Sequence, residues 1–168
     1  TSELLYGEIF EVFEEHEGWA WGQAQNDSYV GYISSGDLVA PSLTPTHVVS
    51  TPSTHLYPRP DLKSRPVRHL YSGASVSSKG APAVNGFVEL SDNCWIYDKH
   101  IVRAGQNVPD YVSTALSFLG SPYLWGGKTH AGMDCSGLVQ IALNLAGLYL
   151  PRDTDMQFEA LTSFKLPP

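Results

Sequence analysis

The chain has 168 residues, of which 42% are hydrophobic, so it has enough apolar side chains to form a folded core. Its 17 Asp and Glu against 10 Lys and Arg give a formal net charge of −7, which argues against a nucleic acid or an anionic membrane surface as its main partner. No apolar stretch is long enough for a membrane-spanning helix, and 2 cysteines cannot form a disulfide framework. We therefore expect a folded, acidic protein without membrane insertion.

The first hundred residues predict short antiparallel strands. Apolar-rich runs cover 8–14, 18–24 and 29–34, and turn residues separate them. The same strand–turn–strand plan returns over 86–90 and 94–97, with 100–102 as its exit, after a run rich in Pro, Ser and His over 50–66. We expect two small β-barrels, over 1–42 and 43–105, and the abrupt start of the first predicts that it lacks a strand or two.

After Gly105 the apolar spacing changes to that of helices. A helix is predicted over 109–119, and a second begins after Asp134, a suitable N-cap, and ends near Gly147. A third, shorter helix is expected over 153–161. The inner faces are predicted to carry Val112, Ala115, Leu116 and Leu119 in the first helix, and Leu138, Val139, Ala142, Leu145 and Ala146 in the second.

Cys135 is the residue whose position points to chemistry. It lies in the first turn of the second predicted helix, behind a glycine-rich loop over 121–132, and Gly137 is expected to let another segment approach the helix start closely. Unpaired backbone N–H groups and the positive end of the helix dipole favour a thiolate at such a position. The same N–H groups can stabilise an oxyanion on an attacked carbonyl. Position alone leaves a second interpretation open, a buried core cysteine at a helix end.

Three sequence blocks surround this cysteine. Pro-Tyr-Leu-Trp-Gly-Gly covers 122–127, Asp-Cys-Ser-Gly covers 134–137, and Pro-Arg-Asp-Thr covers 151–154, followed by Gln157. Residues 106–168 thereby resemble the first half of the catalytic domain of the NlpC family of papain-like murein peptidases. Residues 1–105 resemble the paired bacterial SH3-like domains of that family's dipeptidyl-peptidase branch. The implied fold is α+β, with two small SH3-like β-barrels followed by the helical first half of a papain-like cysteine peptidase domain.

The resemblance implies a role for each matching side chain. Cys135 is the nucleophile, Tyr123 stabilises the tetrahedral intermediate, and Trp125 walls the pocket. Asp134 and Ser136 bind substrate beside the scissile bond, and Asp153 and Thr154 line the same end of the site. Glu8 and Tyr29, from the first barrel, pair with Asp134 around the free α-amine of the substrate. The branch favours serine where this chain has Thr154, so that contact is the least secure.

Structural alternatives exist for several of these residues. Tyr123 and Trp125 could be core aromatics, Glu8 a solvated strand residue, and Tyr29 a packing residue of the barrel. Cys94, on a predicted strand, is interpreted as packing. His130 lies on the wrong element for the general base of this family, and no metal-ligand spacing joins the histidines, so we expect neither a metal nor another cofactor.

The resemblance predicts a cysteine peptidase that hydrolyses murein peptides next to a γ-D-glutamyl residue and prefers a free N-terminal L-Ala. Its catalytic histidine is expected in a C-terminal segment in cis, because no histidine follows Cys135 here. Two alternatives stay open: a non-catalytic module that binds cell-wall peptides, and an amidase or acyltransferase on the same scaffold. A free cysteine suits the cytoplasm, but a signal peptide removed upstream would equally allow a periplasmic or secreted protein.

Overall fold

The computed structural model describes residues 1–40 and 43–161. The predicted domain boundary at residue 42 and the last part of the predicted catalytic segment, 162–168, lie outside the described residues. Within them the protein is α+β: strands dominate up to Arg103, and the three α-helices follow. No described helix is long and apolar enough to cross a membrane.

The first strands form a three-stranded antiparallel sheet in the order β1-β2-β3. Their bounds are Phe10–His16 for β1, Trp19–Ala24 for β2 and Val30–Ser34 for β3, which confirms the three predicted strands. The tight turn between β1 and β2 places Gly18 at a φ of 81°, a backbone conformation that favours glycine. This sheet presents the loop that carries Tyr29 toward the helices.

Seven further strands build the second β region. They are β4 (His47–Val49), β5 (Ser53–Leu56), β6 (Arg68–Tyr71), β7 (Ser75–Val76), β8 (Phe87–Glu89), β9 (Trp95–Tyr97) and β10 (Ile101–Arg103). They pair as β10-β4-β7, β5-β6 and β8-β9 around a buried apolar core that includes Val49, Leu70 and Ile96. The run 50–66, predicted only as a Pro-rich connection, contains β5, because its alternation of buried Thr54 and Leu56 with exposed residues is that of a half-buried strand.

The prediction of two closed barrels is only partly right. Over the described residues the strands form an SH3-like β region, but their ladders do not close into barrels. The reason is strand length: β7 has two residues and four other strands of this region have three, and hairpins meet only through isolated bridges such as Tyr57–Trp95 and Ser78–Leu90.

The helical part consists of α1 (Tyr111–Leu116), α2 (Cys135–Leu145) and α3 (Thr154–Leu161), with a short hairpin of β11 (Lys128–Thr129) and β12 (Gly132–Met133) before α2. The inward faces predicted for α1 and α2 are partly wrong. Thr114 and Phe118 are buried instead of Leu116 and Leu119, and Val139 is exposed, whereas Ala142 and Leu145 are buried as expected. Periodicity identifies an apolar stripe, but the neighbouring elements decide which side of it is covered.

A second buried cluster joins the segment before β1 to the helical part of the chain. Leu5, from the segment before β1, packs with Phe118, Met133 and Ile141. Gln140 of α2 also donates to the Asp27 carboxylate at 3.0 Å, in the turn before β3. The first sheet is therefore held against α2, and this contact places the loop that carries Tyr29 beside that helix.

Candidate active site

Cys135 is exposed at the first position of α2, and its thiol is free. Backbone pairing folds the glycine-rich loop around this helix start: the Asp134 N–H donates to Gly127 O at 3.0 Å, and the Leu124 N–H donates to Met133 O at 3.2 Å. Exposure excludes the alternative of a buried core cysteine. The arrangement leaves the thiol open to a substrate while the backbone beneath it is held in place.

Gly137 permits this close approach, as its sequence position predicts. A Cβ atom built on Gly137 would lie 2.4 Å from the carbonyl oxygen of Gly127. We expect Gly137→Ala to destabilise the fold by about 1–3 kcal/mol, because a backbone atom on the loop must move to admit the methyl group. Urea unfolding measures this loss. The control is Gly31→Ala, where a Cβ meets nothing within 4 Å and no comparable loss is expected.

The Asp134 carboxylate is the N-cap of α2 and is the most heavily hydrogen-bonded group of the site. It accepts from the backbone N–H of Gly137 at 2.7 Å and of Gly126 at 2.8 Å, and from both terminal nitrogens of Arg152 at 3.0 and 2.8 Å. Burial alone would raise the pKa of Asp134, but the hydrogen bonds from Arg152, Gly137 and Gly126 outweigh it and lower the pKa to about 2. Asp134 is therefore ionised and already paired.

Ser136 points into the same buried network. Its side-chain oxygen accepts from Arg152 Nη1 at 2.7 Å, and its backbone carbonyl accepts from Gln157 Nε2 at 3.0 Å. Arg152 is 2% exposed and Gln157 is 4% exposed, so these contacts are shielded from water. The Ser136 hydroxyl thus binds protein rather than facing the open side of the site, and its predicted contact with substrate has no support in this geometry.

Arg152 is a buried residue of the site for which no role was predicted. Besides Asp134 and Ser136, it donates to Gly127 O at 3.3 Å and to Ser2 Oγ at 3.1 Å, so it joins the nucleophile helix, the glycine-rich loop and the segment before β1. The available signal was an arginine between a proline and an aspartate in a chain with only 10 Lys and Arg. A buried arginine needs a carboxylate partner, and Asp134 was the nearest candidate in the neighbouring block.

Tyr29 lies close to the residues that flank the cysteine. Burial raises the pKa of its phenol, and the negative charges of Asp153, Asp27 and Asp134 raise it further against the opposing effect of Arg152. Asp153 itself is exposed. Tyr29 thus lies within electrostatic reach of Asp134 and Asp153, two of the residues that the family resemblance groups around the substrate. Thr154 joins them, since its hydroxyl oxygen lies 3.8 Å from the sulfur of Cys135.

Glu8 is held elsewhere. Its carboxylate accepts from Lys128 Nζ at 2.9 and 3.0 Å and from the Leu5 N–H at 2.7 Å, and the Glu8 and Lys128 side chains are only 8% and 4% exposed. Among the described residues, no hydrogen bond or ion pair joins Glu8 to Asp134. The two carboxylates predicted to converge on one cation each have a cation of their own.

The aromatic residues beside the cysteine are not part of the core. Tyr123 is 70% exposed and Trp125 is 75% exposed, so the alternative of core packing is wrong for both. Tyr123 forms a backbone bridge with Met133, and Met133 immediately precedes Asp134 and Cys135 in the chain. Both side chains are therefore free to contact a bound molecule on the open side of the nucleophile.

All six histidines lie within the described residues, and none is within hydrogen-bonding distance of Cys135. His130, the nearest in sequence, is bonded through Nδ1 to Ser121 Oγ at 2.8 Å and lies beside the ring of Phe118. Over residues 1–40 and 43–161, no three His, Cys, Asp or Glu side chains form a group that could hold a metal ion. The described residues thus place a free, exposed thiol at the start of a helix, and among them no histidine is paired with it.

Comparison with known proteins gives two family matches on this chain. Residues 1–38 match the bacterial dipeptidyl-peptidase SH3 domain, and residues 120–165 match the NlpC/P60 family. The crystal structure of an NlpC/P60 family protein from Bacillus cereus ATCC 10987 superposes with a TM-score of 0.79 at 20% identity, over 93% of this chain and 58% of that one. The fold is therefore shared with that protein.

Two curated relatives are similar in sequence. Dipeptidyl-peptidase 6 of Lysinibacillus sphaericus is 28% identical over 91% of this chain and 64% of its own length. The γ-D-glutamyl-L-lysine dipeptidyl-peptidase of Bacillus subtilis (strain 168) is 34% identical over 45% of this chain and 28% of its own length. The chain thus spans less than two thirds of either relative. The two family matches thus occur in this order along the chain: a bacterial dipeptidyl-peptidase SH3 domain in the N-terminal region, then an NlpC/P60 family match that contains the exposed Cys135.

Proposed function

We propose that this chain supplies the nucleophile and part of the substrate site of a cysteine peptidase that hydrolyses murein peptides next to a γ-D-glutamyl residue. The observation that carries the proposal is the exposed Cys135 thiol at the start of α2, with the Asp134 N-cap bonded behind it and two exposed aromatic side chains beside it. The similarity to dipeptidyl-peptidases that act on γ-D-glutamyl-L-lysine supports the substrate class.

In the proposed reaction the Cys135 thiolate attacks the carbonyl carbon of the scissile amide and forms a tetrahedral intermediate. The Gly137 N–H is bonded to Asp134, and the N–H groups of Cys135 and Ser136 are left to donate to the developing oxyanion. Collapse of the intermediate expels the amine and leaves a thioester on Cys135, which water then hydrolyses. A base in contact with the thiol takes its proton and delivers it to the leaving amine.

We propose that the site prefers a peptide with a free N-terminal L-Ala, which the charges around Tyr29 support. Of the carboxylates near its phenol, Asp134 is paired with Arg152 and Asp27 accepts from Gln140, whereas Asp153 is exposed to solvent. An α-ammonium bound here would compensate the charge of Asp153, whereas an acylated amine would not. Glu8 remains a predicted ligand, but its buried pair with Lys128 gives any Glu8 variant a folding defect as well.

The preference is tested by comparing free and N-acetylated L-Ala-γ-D-Glu-L-Lys as substrates of the full gene product. We expect acetylation to lower kcat/KM by about ten- to a hundredfold, the effect of losing one charge-assisted hydrogen bond. Tyr29→Phe should reduce this ratio without a comparable loss of stability. Equal rates for the two peptides would show that the first β region does not contribute to recognition of the amine.

Two other functions share parts of this geometry. A non-catalytic peptide-binding module would bind the free peptide and leave it intact in the same assay. An amidase or acyltransferase on the same scaffold would form the thioester on Cys135 but accept a different leaving group or a different acyl acceptor.

Location in a reducing compartment is proposed on the basis of the free Cys94 and Cys135 thiols.

A further inference from the structure

The ion pair between Arg152 and Asp134 lies directly beneath the proposed nucleophile. Asp134 precedes Cys135 in the chain, and its carboxylate is 11% exposed, while the Arg152 side chain is 2% exposed. A carboxylate on the residue next to the cysteine would oppose the formation of a thiolate if it carried its charge alone, because two neighbouring negative charges repel each other. The guanidinium of Arg152 is the cation that the structure places against it.

The guanidinium does more than neutralise one carboxylate. It spans three separate groups that fix the start of α2, namely the Asp134 carboxylate, the Ser136 hydroxyl and the Gly127 carbonyl. Gly127 O also accepts from the Asp134 N–H. A planar arginine fork suits such a multi-point contact, which a lysine could not reproduce. The residues on both sides of Cys135 are thus bonded to one buried side chain.

We propose that Arg152 is a positioning residue for the Cys135 nucleophile: by compensating the charge of Asp134 and binding the residues that flank the cysteine, it allows a reactive thiolate to form there. This inference rests on the proposed role of Cys135. It concerns the intrinsic reactivity of the thiol, so it can be measured without peptide hydrolysis. Other titratable groups close to this pair are Tyr29, Asp27, Asp153 and the Thr1 α-ammonium, which donates to Tyr29 Oη at 2.6 Å, and they stay unchanged in the variants below.

The experiment measures the rate at which iodoacetamide alkylates Cys135 in the folded chain, in a Cys94→Ala background that leaves one thiol. At pH 7 we expect Arg152→Met to slow alkylation by about tenfold, since an uncompensated carboxylate lowers the thiolate fraction. Asp134→Asn, which leaves the arginine unpaired and retains a side chain suited to an N-cap, should speed alkylation. The double variant Asp134→Asn with Arg152→Met should return to within about threefold of the parent. These opposite signs cannot arise from a general loosening of the fold.

Lys128→Met is the matched control. It removes the cation of the other buried ion pair, with Glu8, and so lowers the urea midpoint as Arg152→Met does. Its alkylation rate should stay within about twofold of the parent. At pH 10, where thiols are ionised, all variants should react at similar rates. Parental reactivity of folded Arg152→Met at pH 7, or a difference that persists at pH 10, would overturn the proposal. If Arg152→Met does not fold, the Asp134→Asn variant decides: an alkylation rate equal to or below that of the parent would overturn the proposal.

Failure of this proposal and failure of the proposed function give different results. Alkylation reports on Arg152 even if the protein proves to bind peptides without cleaving them. Conversely, a peptidase that retains full turnover without Cys135 would refute the proposed function while leaving the alkylation rates as they are.

Discussion

Replacing Cys135 by alanine in the full gene product is expected to abolish hydrolysis of γ-D-glutamyl peptides, with a loss on the order of 10⁴-fold or more in kcat. The reason is chemical: no other thiol approaches the site, and an alanine offers no atom that can form the thioester. The fold should survive, because the side chain is exposed at the start of α2 and leaves no cavity when it is shortened.

Cys94→Ala is the matched control for this variant. Cys94 is half-buried against the core of the second β region, and its backbone N–H donates to Asp92. We expect a loss of about 1 kcal/mol in the free energy of unfolding and an unchanged rate of hydrolysis. Rates of hydrolysis and urea midpoints measured on both variants separate the two roles. Turnover retained by Cys135→Ala would refute the assignment of the nucleophile.

The second large effect concerns the base. The 168-residue chain on its own is expected to show no measurable peptidase activity, because none of its six histidines contacts Cys135. General base and acid catalysis contributes about 10²- to 10⁴-fold, and without it no group takes the proton of the attacking thiol or protonates the leaving amine.

Rate measurements on the 168-residue chain and on the full gene product, at equal concentration, test this expectation. The resemblance to the papain-like family places the base on strands downstream of the cysteine helix, so a segment of that kind, added in cis or as a separate chain, should restore hydrolysis. Activity of the 168 residues alone would mean that one of these histidines moves to the thiol. His130→Ala would then be the first variant to test, since His130 lies on the loop before α2.

The sequence predicted the strands of the first β region and the start of α2 because these depend on local patterns. An apolar-rich run between turn residues marks β2, and Asp134 as a capping residue followed by an apolar helix marks where α2 begins. The close approach at Gly137 was also predictable, since only a glycine could sit where another backbone passes.

The ion pairs were not predictable in the same way. Lys128 and Glu8 are separated by 120 positions in the chain, and their contact depends on how the first sheet packs against the helical part. The family resemblance predicted that Glu8 faces substrate, whereas the structure gives it Lys128 as a buried partner. Likewise the outward side of α1 could not be read from its apolar stripe, because the covered side is set by its packing on α2.

Identification of the products from free L-Ala-γ-D-Glu-L-Lys by mass spectrometry tests the proposed function most directly. With the full gene product, we predict release of the dipeptide L-Ala-γ-D-Glu together with free L-Lys, and loss of both products in Cys135→Ala. Recovery of the intact tripeptide from the unmodified protein, or cleavage between L-Ala and D-Glu, would contradict the account.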